Sequence, residues 1–328
     1  MHVLADFTSE AKPFFQPFVN SQIKSLEKEG VEIGTFSVDA SDSRMNYFRA
    51  ARRIKELVIE EKYEILHAHY SYCGLSAYLA RAKKPIVISL MGSDLIGARN
   101  RKGKITLRGK LDNWISRYIS TKVNHIIVKS RQMANLLDGK IPISVIPNGV
   151  DLELFQPMQQ SLVRKELGFE EEEFMVLFFG NPRDSNKNFV LAEKAVKNFK
   201  STFKHSNVHL VNPYGISHDK VVKYLNACDV LILTSYYEGS PNVIKEAMAC
   251  NLPIISTDVG DVKDIISNID NCFITNHSTE NISNKLEMIY NNRQRTNGRH
   301  KMQELSSEVI AEKIIKIYQS IIKMTYRT

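Results

Sequence analysis

Twice along this 328-residue chain, short apolar runs of strand length alternate with amphipathic stretches of helix length. In the first half HVLA (2–5), VEIGTFSV (31–38), EILHAH (64–69), PIVISL (85–90), NHIIV (124–128) and ISVIP (143–147) predict strands. PFVNSQIKSLEKEG (17–30) and MNYFRAARRIKELVIEE (45–61) between them predict helices. The rhythm restarts with FMVLFFG (174–180), NVHLV (207–211), DVLILTS (229–235), LPIIST (252–257) and NCFIT (271–275), separated by helical stretches at 187–200, 218–227 and 241–250. Parallel strands need crossover connections, so this alternation predicts a mostly parallel sheet wrapped by helices. Runs that are apolar throughout fit strands covered on both faces.

IPNGVDLELFQP (146–157) breaks the rhythm with turn formers and a closing proline, and the boundary between the halves is expected there. The fold class predicted is α/β, with two Rossmann-like domains at 1–150 and 151–305 and a cleft between them. A long amphipathic helix is expected over about 306–328, where Val309, Ile310, Ile314, Ile315, Ile317, Ile321 and Ile322 follow helical spacing. No apolar run reaches the roughly 18 residues that a membrane span requires. The N-terminus lacks the basic start and apolar core of a signal peptide, which predicts a cytoplasmic protein. Cys73, Cys228, Cys250 and Cys272 are far apart and without metal-ligand spacing, so buried thiols are expected.

The chemistry concentrates in EGSPNVIKEAMACNLPIIST (238–257). It follows the strand run DVLILTS, and Ser240 and Pro241 suit the N-cap and first residue of a helix. The first-turn amides of Asn242, Val243 and Ile244, together with the helix dipole, form an anion site. Ligands of open parallel sheets bind at strand C-termini. A phosphate is therefore expected, with Glu238 before the helix and Glu246 on its second turn facing hydroxyls. Carboxylates commonly hold ribose diols in such folds, so the pattern points to a nucleotide sugar. Asn251 before Pro253 reads as a left-handed helix C-cap.

The spacing of Glu238 and Glu246, followed by AMACNLPIIST, resembles the EX7E signature of the family-4 retaining glycosyltransferases, which have the GT-B fold. HAHYSYCGLSAYLA (67–80), ISLMGSDL (88–95), IPNGVD (146–151), FFGNPRDSNKN (180–188), NACDVLILTS (226–235) and STDVGDVKDII (256–266) follow in that family's order. The resemblance implies that Glu238 meets the transferred sugar, Glu246 holds the ribose, and backbone from Gly239 through Ser240, Pro241 and Asn242 to Val243 cradles phosphate. Lys187 stands where the family has its diphosphate lysine. The family arginine is Asn181 here, and Arg183 is the candidate substitute. Asp94 matches the family's HGxD aspartate, with Met91 in place of the histidine, and His69 ends the strand that lines the cleft. Asp94 and His69 are thus catalytic-site candidates with Glu238. The glycine loop after the first strand is absent, leaving Thr8 and Ser9 as polar substitutes. No metal site and no cofactor are implied beyond the nucleotide-diphosphate sugar, taken as UDP-linked.

The acceptor implied is a glycan or a lipid-linked sugar. Residues 1–150 hold 23 Lys+Arg against 14 Asp+Glu and the rest 21 against 22, so the basic excess is local. Its densest part, ARNRKGKITLRGK (98–110), predicts peripheral contact with an anionic membrane. A nicotinamide enzyme would need GxGxxG after a strand, and none exists. A secreted sugar-binding protein would need a signal peptide. A nucleic-acid partner is not expected, because the charge belongs to no recognisable module. An inverting relative is disfavoured by the EX7E resemblance; the alternatives left open are a catalytically impaired nucleotide-sugar binder or a nucleotide-sugar-modifying enzyme other than a transferase.

Overall fold

The computed structural model describes residues 2–6, 17–39, 45–98 and 104–326. The chain divides into two compact units, Met1–Gly149 with Ser307–Thr328, and Val150–Ser306.

In the first unit β1 (His2–Asp6), α1 (Pro17–Lys28), β2 (Thr35–Asp39), α2 (Met45–Glu60), β3 (Leu66–His69), α3 (Ser71–Leu79), β4 (Ile86–Ser89), α4 (Ser93–Ile96), α5 (Leu107–Ser120), β5 (His125–Val128), α6 (Arg131–Ala134) and β6 (Ile143–Val145) follow one another. The strands form one parallel sheet in the order β2-β1-β3-β4-β5-β6. Strand order reverses between β1 and β3, where ligands of such sheets bind. β3 and β4 are buried at every position, as double coverage requires. The helix α3 has no amphipathic period in sequence because nearly all of it is buried. Gly74 lets it approach the sheet, since an added Cβ would lie 2.5 Å from the Ile88 side chain.

The second unit contains α7 (Gln160–Leu167), β7 (Phe174–Leu177), α8 (Phe189–Phe203), β8 (Val208–Val211), α9 (His218–Ala227), β9 (Val230–Leu233), α10 (Asn242–Ala249), β10 (Ile254–Thr257), α11 (Val262–Ile266), β11 (Cys272–Thr275) and α12 (Thr279–Asn292), followed by a 3-10 segment over Gly298–Leu305. Its parallel sheet has the order β11-β10-β9-β7-β8. The reversal falls between β7 and β9. Apolar residues pack on both faces: Leu231, Leu233, Ile244 and Met248 belong to one cluster, and Val176, Ile232, Ala195 and Phe199 to the other. Arg164 and Asp229 form a buried ion pair at 2.7 Å, and Asp229 also accepts the Met175 N–H. This fastens α7 to the beginnings of β7 and β9.

The last helix, α13 (Ser307–Tyr326), belongs to the first unit and packs on α1. Tyr318 on α13 meets His67 of β3 at 2.5 Å, and the other ring nitrogen of His67 meets Ser89 Oγ at 2.8 Å. The Val150 N–H donates to Leu305 O, so the second unit begins and ends at one point of its own surface. Cys73, Cys228 and Cys250 are buried thiols, whereas Cys272 is only partly covered.

Candidate functional site

The loops after β7 and β9 meet at the strand reversal of the second sheet. Asn186 stitches them together: its Nδ2 donates to Tyr237 O at 3.0 Å, and its Oδ1 accepts the Tyr237 N–H at 3.2 Å. Thr234 Oγ1 donates to the carbonyls of Lys187 and Asn188. These bonds fix the course of Lys187, whose Nζ lies 2.6 Å from Glu238 Oε1. Ser235 Oγ donates to the same carboxylate oxygen at 2.8 Å. Both charged side chains remain partly accessible.

The helix α10 starts at Asn242, with Pro241 as its N-cap, and no side chain caps the first turn. The expected Ser240 cap is therefore corrected by one residue. The Ser240 hydroxyl is instead engaged by Lys245 Nζ at 2.9 Å. The Ile244 N–H, expected among the anion-binding amides, donates to Pro241 O in a closing turn. At the other end Asn251 takes the left-handed conformation, φ 55°, as its position before Pro253 suggested. Arg299 donates to Ala249 O and Arg295 to Cys250 O, which satisfies terminal carbonyls and places positive charge at the negative dipole end.

Glu246 points from α10 to α9, where its Oε1 meets His218 Nε2 at 3.1 Å. That hydrogen bond raises the His218 pKa above its ordinary value, against the effect of burial. Each motif glutamate thus has its own basic partner. The two partners offset the mutual repulsion of the carboxylates at this end of the sheet.

Behind the Glu238 loop lies STDVGDVKDII (256–266), a segment that follows the family's order but whose residues have no role assigned from sequence. Gly260 has φ +60°, and an added Cβ would lie 2.6 Å from Gly239 O. Thr257 Oγ1 donates to Ser235 O at 2.8 Å. Asp261 is half-buried, and the loss of solvent raises its pKa while Lys245 and a hydrogen bond from Ser240 pull it down. Lys245 is fully buried, and burial pushes its ammonium down to about 8. His218, Lys245 and Asp261 are polar groups within or beside the motif, and only their burial and pairing distinguish them from surface residues.

Arg183 is exposed, and its backbone N–H donates to Asn181 Oδ1 at 2.9 Å. Asn181 thereby shapes the turn that presents Arg183. In the first unit Asp94 is fully buried and accepts the N–H groups of Met91, Gly92 and Leu95 on Oδ1 and that of Ser71 on Oδ2. Burial raises its pKa to about 6 while these four donors lower it. The carboxylate joins the loop after β4 to the start of α3. His69 is buried at the end of β3 and stacks on His67, with ring centroids 4.4 Å apart. Thr8 and Ser9 lie outside the described residues, as do residues 99–103 of the basic stretch.

Comparison with known proteins bears on the identity of this site. The model of Glycosyltransferase Family 4 matches residues 2–154, and that of Glycosyl transferases group 1 matches residues 161–292. An uncharacterized glycosyltransferase of Methanocaldococcus jannaschii is 25% identical over 295 residues, covering 84% of this chain and 81% of the relative. The UDP-Gal:alpha-D-GlcNAc-diphosphoundecaprenol alpha-1,3-galactosyltransferase of Escherichia coli is 25% identical over 254 residues, covering 67% of this chain and 62% of the relative. HepE of Anabaena, solved in complex with UDP-glucose, superposes with a TM-score of 0.71 at 14% identity, covering 97% of this chain and 99% of that one.

Proposed function

The chain belongs to the family-4 glycosyltransferases, and from that premise we propose that it moves a hexose, with retained configuration, from a UDP-linked donor to a glycan or lipid-linked acceptor in cell-surface polysaccharide synthesis. The observation that carries this reading is the Lys187–Glu238 pair beside the uncapped first turn of α10. Lys187 and the first-turn amides face the diphosphate. Its negative charge grows as the bond to the anomeric carbon breaks, and positioned donors lower that barrier. When the diphosphate draws Lys187 toward itself, Glu238 is released to face the sugar. Glu246, oriented by His218, holds the ribose. The acceptor hydroxyl oxygen bonds to the anomeric carbon on the face the diphosphate leaves and passes its proton to the departing phosphate oxygen, so that the configuration is retained.

The printed names of the Escherichia coli relative and the Anabaena structure support a UDP-linked donor, and the former supports a lipid-linked acceptor. Such an acceptor places the protein in the cytoplasm at the inner membrane face, with the basic stretch 98–110 toward the lipid. Among the described residues no helix is long and apolar enough to cross a membrane. The test is turnover of labelled UDP-glucose and UDP-galactose with a lipid-diphosphate-linked amino sugar, the product anomer being read by NMR. An α-linked product supports the reading. Hydrolysis or epimerisation of the donor without transfer, or a β-linked product, contradicts it.

A further inference from the structure

We infer that α5 is the element by which this protein docks on an anionic lipid surface, its outer face entering the headgroup layer. The helix buries Ile115, Ser116 and Ile119 against its own unit. Its opposite face carries Leu107 at 85% exposed, Leu111 at 45%, Trp114 at 62% and Tyr118 at 40%. Steps of four, three and four residues put these side chains on one line along the helix. The Trp114 and Tyr118 rings stack with centroids 5.8 Å apart and planes 11° from parallel. Four large apolar side chains in a row on a solvent-exposed helix are unusual for a surface with no partner.

The charges beside the row select the partner. On a helical projection Lys110 and Arg117 run along one side and Arg108 lies on the other, while Lys122, just past the helix end, holds its ammonium 5.6 Å from the centre of the Tyr118 ring; all four are exposed. The acidic residue of α5, Asp112, is turned inward, where it accepts a hydrogen bond from Tyr72 at 3.0 Å. The outer face is therefore apolar along its centre and cationic along both flanks, the pattern of a helix lying in a membrane interface. Each basic residue held near an anionic leaflet adds to the attraction. A second copy of this chain fits poorly, because symmetric pairing of the row would set the cationic flanks against each other. A single-stranded nucleic acid would use the two rings for stacking, but Leu107 and Leu111 offer a base no π face.

This docking role rests on the membrane-proximal acceptor proposed above, yet it is measurable without donor or acceptor. Trp114 is the sole tryptophan of the chain, so its fluorescence reports on α5 alone. The full chain is titrated with phosphatidylcholine vesicles, with vesicles containing phosphatidylglycerol, and with a mixed-sequence RNA oligonucleotide. A blue shift and severalfold protection from acrylamide are expected with the anionic vesicles only. Leu107→Gln with Leu111→Gln should weaken vesicle binding about tenfold while leaving the melting temperature unchanged. Unchanged Trp114 emission with anionic vesicles, wild-type binding by the double variant, or a response to RNA in place of vesicles would overturn the inference. A UDP-glucose thermal shift on the same samples separates the two readings. Loss of vesicle binding with an intact shift counts against docking alone, and vesicle binding without a shift counts against the transferase reading while supporting docking.

Discussion

Lys187 Nζ lies 2.6 Å from Glu238 Oε1, joining the loops that leave β7 and β9 at the strand reversal of the second sheet. Asn186 bonds to both backbone groups of Tyr237, so the pair sits on a cross-linked platform. On the proposed function, an anion arriving at the first turn of α10 would compete with Glu238 for the lysine, coupling diphosphate binding to release of the carboxylate.

Glu238→Gln keeps the shape of the side chain and removes its charge. Transfer should fall by about 100-fold or more. Folding stability should change by about 1 kcal/mol or less, because the ion pair is partly solvated. Initial rates and urea unfolding of the same preparation check both, and near wild-type turnover would remove Glu238 from the reaction.

The Glu246 partner of His218 raises the histidine pKa. A base whose folded-state pKa exceeds its unfolded value adds stability that is complete below the unfolded value, here near 6.5, and is lost as pH rises through the folded one. The stability advantage of wild type over His218→Gln should therefore be largest below about pH 6.5 and shrink above it. Denaturation midpoints of the two proteins across pH 5 to 9 measure this, and a difference independent of pH would contradict the pairing.

Asp261→Asn leaves the buried Lys245 ammonium without the carboxylate that most favours its charge. Losing a carboxylate that offsets the desolvation of a buried charge costs about 1 kcal/mol or more. Adding Lys245→Met should restore part of the loss, since an apolar side chain carries no desolvation penalty there. Urea unfolding of the single and double variants decides, and additive losses would show that the two residues do not interact. Wild-type stability should also rise between about pH 8 and 10.5, where the unfolded chain holds a proton that buried Lys245 has given up.

Gly260 supports the Glu238 loop from behind. Alanine there meets both an unfavourable φ and the Gly239 carbonyl at 2.6 Å. Gly260→Ala should cost about 1–3 kcal/mol and reduce transfer beyond what the loss of folded protein explains. Activity per folded molecule, with the folded fraction taken from circular dichroism, separates the two effects.

Much of the fold was legible because buried parallel strands are apolar throughout: each of the eleven strand runs overlaps an observed strand. The helix α3 left no period, since it is buried nearly all round, and α5 hid behind its cationic flanks. In the candidate site the run from Glu238 to Glu246 stood out by its spacing. Its partners did not, because His218 and Asp261 approach from elements that only the fold brings near. Asp94 stood out by its matching position, whereas the four backbone donors it accepts come from segments that only the fold brings together.

Isothermal titration of UDP and of uridine into wild-type protein and Lys187→Ala bears most directly on a diphosphate held between Lys187 and α10. Losing one charge-assisted contact should weaken UDP by about tenfold to a hundredfold and leave uridine nearly unchanged. Equal weakening of both ligands, or undiminished UDP affinity in the variant, would contradict the diphosphate contact at this lysine.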